Sequence, residues 1–100
     1  MQKMRGVYKM KKCFVGTEDV PIGDSERIKL DYFLLTERKK FEGQISFRST
    51  YGIEIVKNNI ESQNVRDISV NKNEVIGIIE VLKSNQVTPI HLNDVIETFL

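Results

Sequence analysis

His91 and Cys13 are the only imidazole and the only thiol in this sequence of 100 residues. His91 could act as a general base or a metal ligand, and Asp94 and Glu97 lie close enough on a helix to add carboxylates beside it. A closed metal site calls for further imidazole or thiolate donors, and Cys13 is all that remains. The simpler reading places His91 in the first turn of the last helix, near Asp94. Cys13 could pair with His91 as a nucleophile, but no local motif surrounds it, and a lone cysteine reads as a small apolar filler. The glycines at 6, 16, 23, 43, 52 and 77 form neither a phosphate-cradling loop nor a dinucleotide fingerprint. The sequence therefore names no catalytic residue, no cofactor-binding residue, no cofactor and no metal ligand, and an enzyme is the least favoured class.

Binding chemistry has more to work with. Phe41, Phe47 and Tyr51 share parity and could stack bases on a sheet, yet helices must bury one sheet face and this row is the best candidate for it. The first twelve residues carry Lys3, Arg5, Lys9, Lys11 and Lys12 and no acid. Residues 13–100 carry ten Lys and Arg against fourteen Asp and Glu, so the remainder is mildly acidic and a poor match for a nucleic-acid backbone. Phe33 and Leu35 place apolar surface on a second strand face, and Arg38, Lys39 and Lys40 follow as a basic run. These five residues are the candidate partner-binding set.

The elements that must carry them can be traced by period. Met10–Val15 fits a short strand, and Gly16–Ser25 holds the glycine, proline and aspartate of a loop. Arg27–Thr36 alternates as a strand, with Ile28, Leu30, Tyr32 and Leu34 on one side. Glu37–Lys40 reads as a charged turn. From Phe41 to Ile55 the apolar residues Phe41, Ile45, Phe47, Tyr51, Ile53 and Ile55 keep odd parity, as one long strand bent at Gly52 or as two strands. Lys57–Asn59 is a polar turn. Ile60–Ile68 is a weaker strand, with Val65 out of phase, as a bulge or an edge strand would allow. Asn71 and Glu74 form a capping pair ahead of the stripe Val75, Ile76, Ile78, Ile79 and Leu82, with Asn85 as a left-handed cap. Thr88-Pro89 opens a second helix, whose stripe Leu92, Val95, Ile96, Phe99 and Leu100 runs to the last residue and predicts a docked end.

Strands followed by helices define an α+β class: a three- or four-stranded antiparallel sheet followed by two C-terminal helices packed on one face. The chain divides into a basic, weakly structured leader and loop over residues 1–26 and a single α+β domain over 27–100. About 40% apolar and 29% charged residues suit a globular domain. The apolar clusters are far shorter than the ~20 residues of a membrane span, and no apolar segment of a secretory signal follows the basic start. With one cysteine no internal disulfide forms, in keeping with a cytoplasmic protein.

The segments YGIEIVK at Tyr51–Lys57, VRDISVNKNEV at Val65–Val75 and NQVTPIHLNDVIETFL at Asn85–Leu100 resemble a family of small uncharacterised proteins of low-GC Gram-positive, clostridia-like bacteria. LDYFLL at Leu30–Leu35 is similar as well. The resemblance implies a bacterial cytoplasmic protein and supplies no activity. Taken together, the expected function is a protein-binding or regulatory module, as a homodimer or with a protein partner and away from membranes. The alternative is a nucleic-acid binder using the basic leader and Arg38–Lys40.

Overall fold

Alternating side chains along a β-strand sort residues onto two faces, and four extended segments of this chain pair side by side on that principle. In a computed structural model, the backbone is described for residues 4–41 and 48–100, and the side chains for 10–39 and 48–100. Strands β1 (Met4–Ile22), β2 (Glu26–Phe41), β3 (Arg48–Lys57) and β4 (Glu61–Ser69) form an antiparallel sheet in the order β1-β2-β3-β4. Helix α1 (Lys72–Ser84), a 3-10 turn over Pro89–His91 and helix α2 (Leu92–Glu97) follow. The class is α+β, as the order of elements predicts, and the sheet has four strands.

One face of the sheet carries the core. Leu30, Tyr32 and Leu34 of β2 lie beside Ile53 and Ile55 of β3, and all are buried. Val75, Ile78, Ile79 and Leu82 of α1, with Leu92 and Ile96 of α2, join them in one cluster. Each such burial contributes about 1.5–3 kcal/mol. The Tyr32 hydroxyl donates to the Val87 carbonyl at 2.9 Å, which ties the sheet to the connection between the helices. Burial pushes this phenol above its ordinary range, and the charge of Glu18 adds to the shift. The Asn71 side chain accepts from the amides of Asn73 and Glu74 and starts α1 as expected.

Local chemistry sets the turns. Asn58 and Asn59 both take positive φ, 54° and 61°, between β3 and β4. Asparagine tolerates this region, and two such residues in succession suit the twist of a tight hairpin. After α1, Asn85 itself stays at negative φ, and Gln86, at 52°, is the left-handed residue instead. The Gln86 and Val87 amides then close on the carbonyls of Lys83 and Leu82.

Three further expectations change. The sequence pattern predicts a weakly structured leader and a loop over residues 1–26, but among the described residues Met4–Ile22 form the longest strand, paired to β2 from Met4 to Ile22, and the loop shrinks to the turn at 23–25. An edge strand whose side chains from Met10 onward are mostly exposed needs no apolar period, because backbone hydrogen bonds to β2 order it. Its lysines are what a protected edge carries. Glu37–Lys40 is not a turn: β2 continues through it to Phe41, with Glu37 and Lys39 buried. The stripe of the last helix stops early. Leu92 and Ile96 are buried, but Phe99 and Leu100 are exposed. The amides of Thr98, Phe99 and Leu100 bond to residues three back, and this tighter winding turns the last two side chains off the buried stripe. The odd-parity row divides between β2 and β3. Its Ile53 and Ile55 are buried, while Ile45, Phe47 and the Phe41 side chain lie outside the described residues.

Candidate functional site

The helices cover one face, so chemistry on the other depends on what the strands present there. Along β2 that face carries Lys29, Asp31, Phe33, Leu35, Glu37 and Lys39 by alternation. Across the ladder Phe33 faces Phe14 of β1 and Glu54 of β3, and Leu35 faces Lys12 and Gly52. The rings of Phe14 and Phe33 meet edge to face, with centroids 5.7 Å apart and planes at 68°. The Lys12 ammonium sits 4.7 Å from the centre of the Phe33 ring and 3.3 Å from Glu54 Oε2. Phe14 is 61% exposed.

A bulge in β4 builds the polar half of this face. Gly52 is the one β3 residue between the pairs Tyr51–Ser69 and Ile53–Val65, and Arg66, Asp67 and Ile68 lie opposite it. A Cβ on Gly52 would stand 2.4 Å from the Val65 carbonyl oxygen and 2.9 Å from the Arg66 Cα, so only glycine lets β4 come this close. Asp67 takes φ of 56° in the bulge. The detour brings Arg66 and Asp67 onto β2. Arg66 Nε donates to Glu37 Oε1 at 2.9 Å, and Arg66 Nη2 donates to Glu37 Oε2 as well, a two-point pair. Lys39 Nζ donates to both oxygens of Asp67, at 2.7 and 2.6 Å, and Thr50 Oγ1 donates to Oδ1 at 2.5 Å. The hydrogen bond and charge of Glu37 raise the guanidinium of Arg66 above its usual value. Burial pushes the Asp67 carboxyl up, but the bonds from Lys39 and Thr50 and the nearby charges outweigh it and hold the group below its ordinary range.

Three of the ion pairs on this face share one orientation. Lys12, Lys29 and Arg66 are 47–48% exposed, whereas their partners Glu54, Asp31 and Glu37 are only 2–14% exposed. In these three the cation is outward over a carboxylate tucked beneath it, whereas Lys39–Asp67 is reversed, with the carboxylate outward over a buried ammonium; the exposed Phe14 and the half-buried Phe33 lie among them. Thr17 Oγ1 also donates to Asp31 at 2.5 Å.

The five candidate residues are divided by this geometry. Phe33 and Leu35 share the helix-free face, where Phe33 is half-buried and Leu35 is buried. Lys39 lies on that face but is buried and held by Asp67. Arg38 points to the other face, as strand alternation requires, beside Lys11, Thr36 and Ser49. Lys40 belongs to β2, and its side chain lies outside the described residues. The basic run is therefore not one patch. His91 and Cys13 are not brought together: the turn holding His91 packs on β3 and β4, and Cys13 is on the opposite edge strand. Among the described residues no three His, Cys, Asp or Glu cluster as metal ligands, and no helix is long and apolar enough to cross a membrane.

The sequence reading missed Phe14, Glu37, Arg66 and Asp67. The out-of-phase Val65 and the strand glycine Gly52 were the available signals, and Glu37 escaped because its charged neighbours resemble a turn.

Fold and site define a small α+β domain with helices on one face of the sheet and an ion-paired, partly aromatic opposite face. The chain belongs to the family described as Family of unknown function (DUF6514), which matches residues 11–100. No curated protein and no solved structure matches it.

Proposed function

We propose that this protein is a non-catalytic protein-binding module, in a bacterial cytoplasm, that engages its partner through the helix-free face of the sheet. The single observation that carries the reading is Phe14, 61% exposed on the edge strand β1 of a face whose neighbouring charges are already ion-paired. An exposed aromatic backed by a second ring is a rigid anchor of the kind that dominates protein interfaces. Around Phe14 the outward cations Lys12 and Lys29 over less exposed carboxylates favour a partner that presents an apolar side chain flanked by acidic groups. Phe14→Glu tests this. The full chain, immobilised, should retain a partner from native lysate of its source, and the variant should lose it while keeping its melting temperature. Equal recovery by the variant would refute the assignment of this face.

The exposed aromatic among cations also favours a second reading, a stacking platform for single-stranded nucleic acid. The carboxylates beneath cancel most of the field such binding needs. Oligonucleotide binding that weakens steeply with salt and is lost in Phe14→Ala would establish this reading over the first.

A further inference from the structure

β4 ends the sheet on the side away from β1, and among the described residues no strand pairs with its outer edge. We propose that two copies of the chain join along this edge, β4 against β4 in an antiparallel two-fold pairing centred on Gln63.

The hydrogen bonds fix which groups the edge offers. Asn58 donates its amide to the Lys29 carbonyl, whereas the Lys57 carbonyl accepts from the Ile60 amide. Backbone groups alternate in direction along an antiparallel strand. Glu54, Val56 and Asn58 therefore serve β2, and Ile53, Ile55 and Lys57 serve β4. Opposite them Val65, Gln63 and Glu61 turn inward to β3, which leaves the N–H and C=O of Ser62 and Asn64 directed out of the sheet. Residues 61–64 are all exposed. Residues 42–47 rejoin the sheet at Arg48, about 20 Å along β3 from Glu54, the neighbour of Asn64. That is beyond the roughly 12 Å that half of such a link can span. Residues 1–3 precede β1, on the opposite edge.

The two edges differ in protection. β1 carries Lys9, Lys11, Lys12 and Pro21, which discourage strand addition. The run 61–65 of β4 holds neither lysine nor proline, and the bulge around Asp67 ends it. That short run complements itself. With Gln63 on the axis, Ser62 of one copy lies opposite Asn64 of the other, and each such pair can exchange both of its N–H···O bonds. Centring on Ser62 would instead use Ile60, held in the turn, and centring on Asn64 would use Arg66 in the bulge. In the Gln63 register Glu61 faces Val65, so no like charges oppose each other. The two Gln63 side chains meet and can bond amide to amide. Beside them a cleft of about 180 Å³ is lined by Glu61, Ser62, Gln63, Pro89 and Ile90, and Ile90 is 73% exposed. An added strand lies along this cleft and covers Ile90.

The edge is on the other side of the sheet from Phe14, so the pairing stands apart from the protein-binding reading. Light scattering and sedimentation of the full chain over a range of concentrations test it, with twice the mass of one chain expected. Asn64→Pro removes an outward N–H and spares the ladder to β3, a position where an edge strand accepts proline. It should weaken the dimer about tenfold or more, since one hydrogen bond is lost from each copy. Gln63→Lys leaves the backbone unchanged, sets two ammonium groups opposite each other, and should have the same effect. Phe14→Glu should leave the dimer intact. The register has its own readout in a Cys13→Ser background. Gln63→Cys places two thiols on a directly opposed pair with Cα atoms ~4.5 Å apart, and oxidation should link the copies. Ser62→Cys leaves its two Cα atoms more than ~7 Å apart and should not link them. A single-chain mass at every concentration would overturn the proposal and leave the edge to strands of other proteins. A dimer that survives Gln63→Lys, one that is lost in Phe14→Glu, or equal linking by Gln63→Cys and Ser62→Cys would overturn it as well.

Discussion

Removing the guanidinium of Arg66 should destabilise this domain far more than its position on an edge strand suggests. The Glu37 side chain is 2% exposed and its two oxygens accept from the two ends of the Arg66 fork. Arg66→Ala leaves that carboxylate buried without its counter-charge. Breaking a buried pair from one side costs about 3–5 kcal/mol. The Arg66 side chain is itself 47% exposed, so water can enter part of the space it vacates, and a loss of about 2–4 kcal/mol is the appropriate figure. For a domain of this size each kcal/mol lowers the melting temperature by about 4–8 °C, so a fall of about 10 °C or more should appear in a thermal scan. The exposed pair Lys57–Glu61 is the comparison: Lys57→Ala should cost no more than about 0.5 kcal/mol. A double-mutant cycle identifies the cause, because Glu37→Gln introduced into the Arg66→Ala background should recover part of the loss by removing the unpaired charge. If Arg66→Ala costs as little as Lys57→Ala, or if Glu37→Gln adds its own cost in full on top of it, the buried pair does not organise this face.

Gly52→Ala should destabilise by about 1–3 kcal/mol, the range of forced overpacking, because its Cβ would meet the Val65 carbonyl and the Arg66 backbone; denaturant unfolding measures it. Asp67 has its folded carboxyl held below the ordinary value. Its contribution is thus present above an unfolded value of about 3.9 and is lost as pH falls from there through the folded value, so Asp67→Asn should flatten that part of the acid limb in a series of pH-dependent melts. Deleting Phe99 and Leu100, both exposed, should shift the urea midpoint only slightly, whereas Leu92→Ala should cost about 2–5 kcal/mol.

Local pattern carried much of this architecture. The alternation of Leu30, Tyr32, Leu34, Ile53 and Ile55 and the stripe of α1 are each set by a repeat that the chain must place against a core, and the Asn71 cap follows from one side chain reaching two nearby amides. These features depend on neighbours a few residues away, so they are legible in the sequence. The extent of β1, the continuation of β2 through Glu37–Phe41 and the candidate site are of another kind. β1 is ordered by the backbone of β2 rather than by an apolar face of its own. Glu37 and Lys39 can be buried in a strand only because Arg66 and Asp67, 29 and 28 residues away, arrive to neutralise them. That meeting requires the β4 bulge over Gly52. Charge pairing across a sheet depends on register, and register is settled when the strands assemble, so no segment read alone contains it.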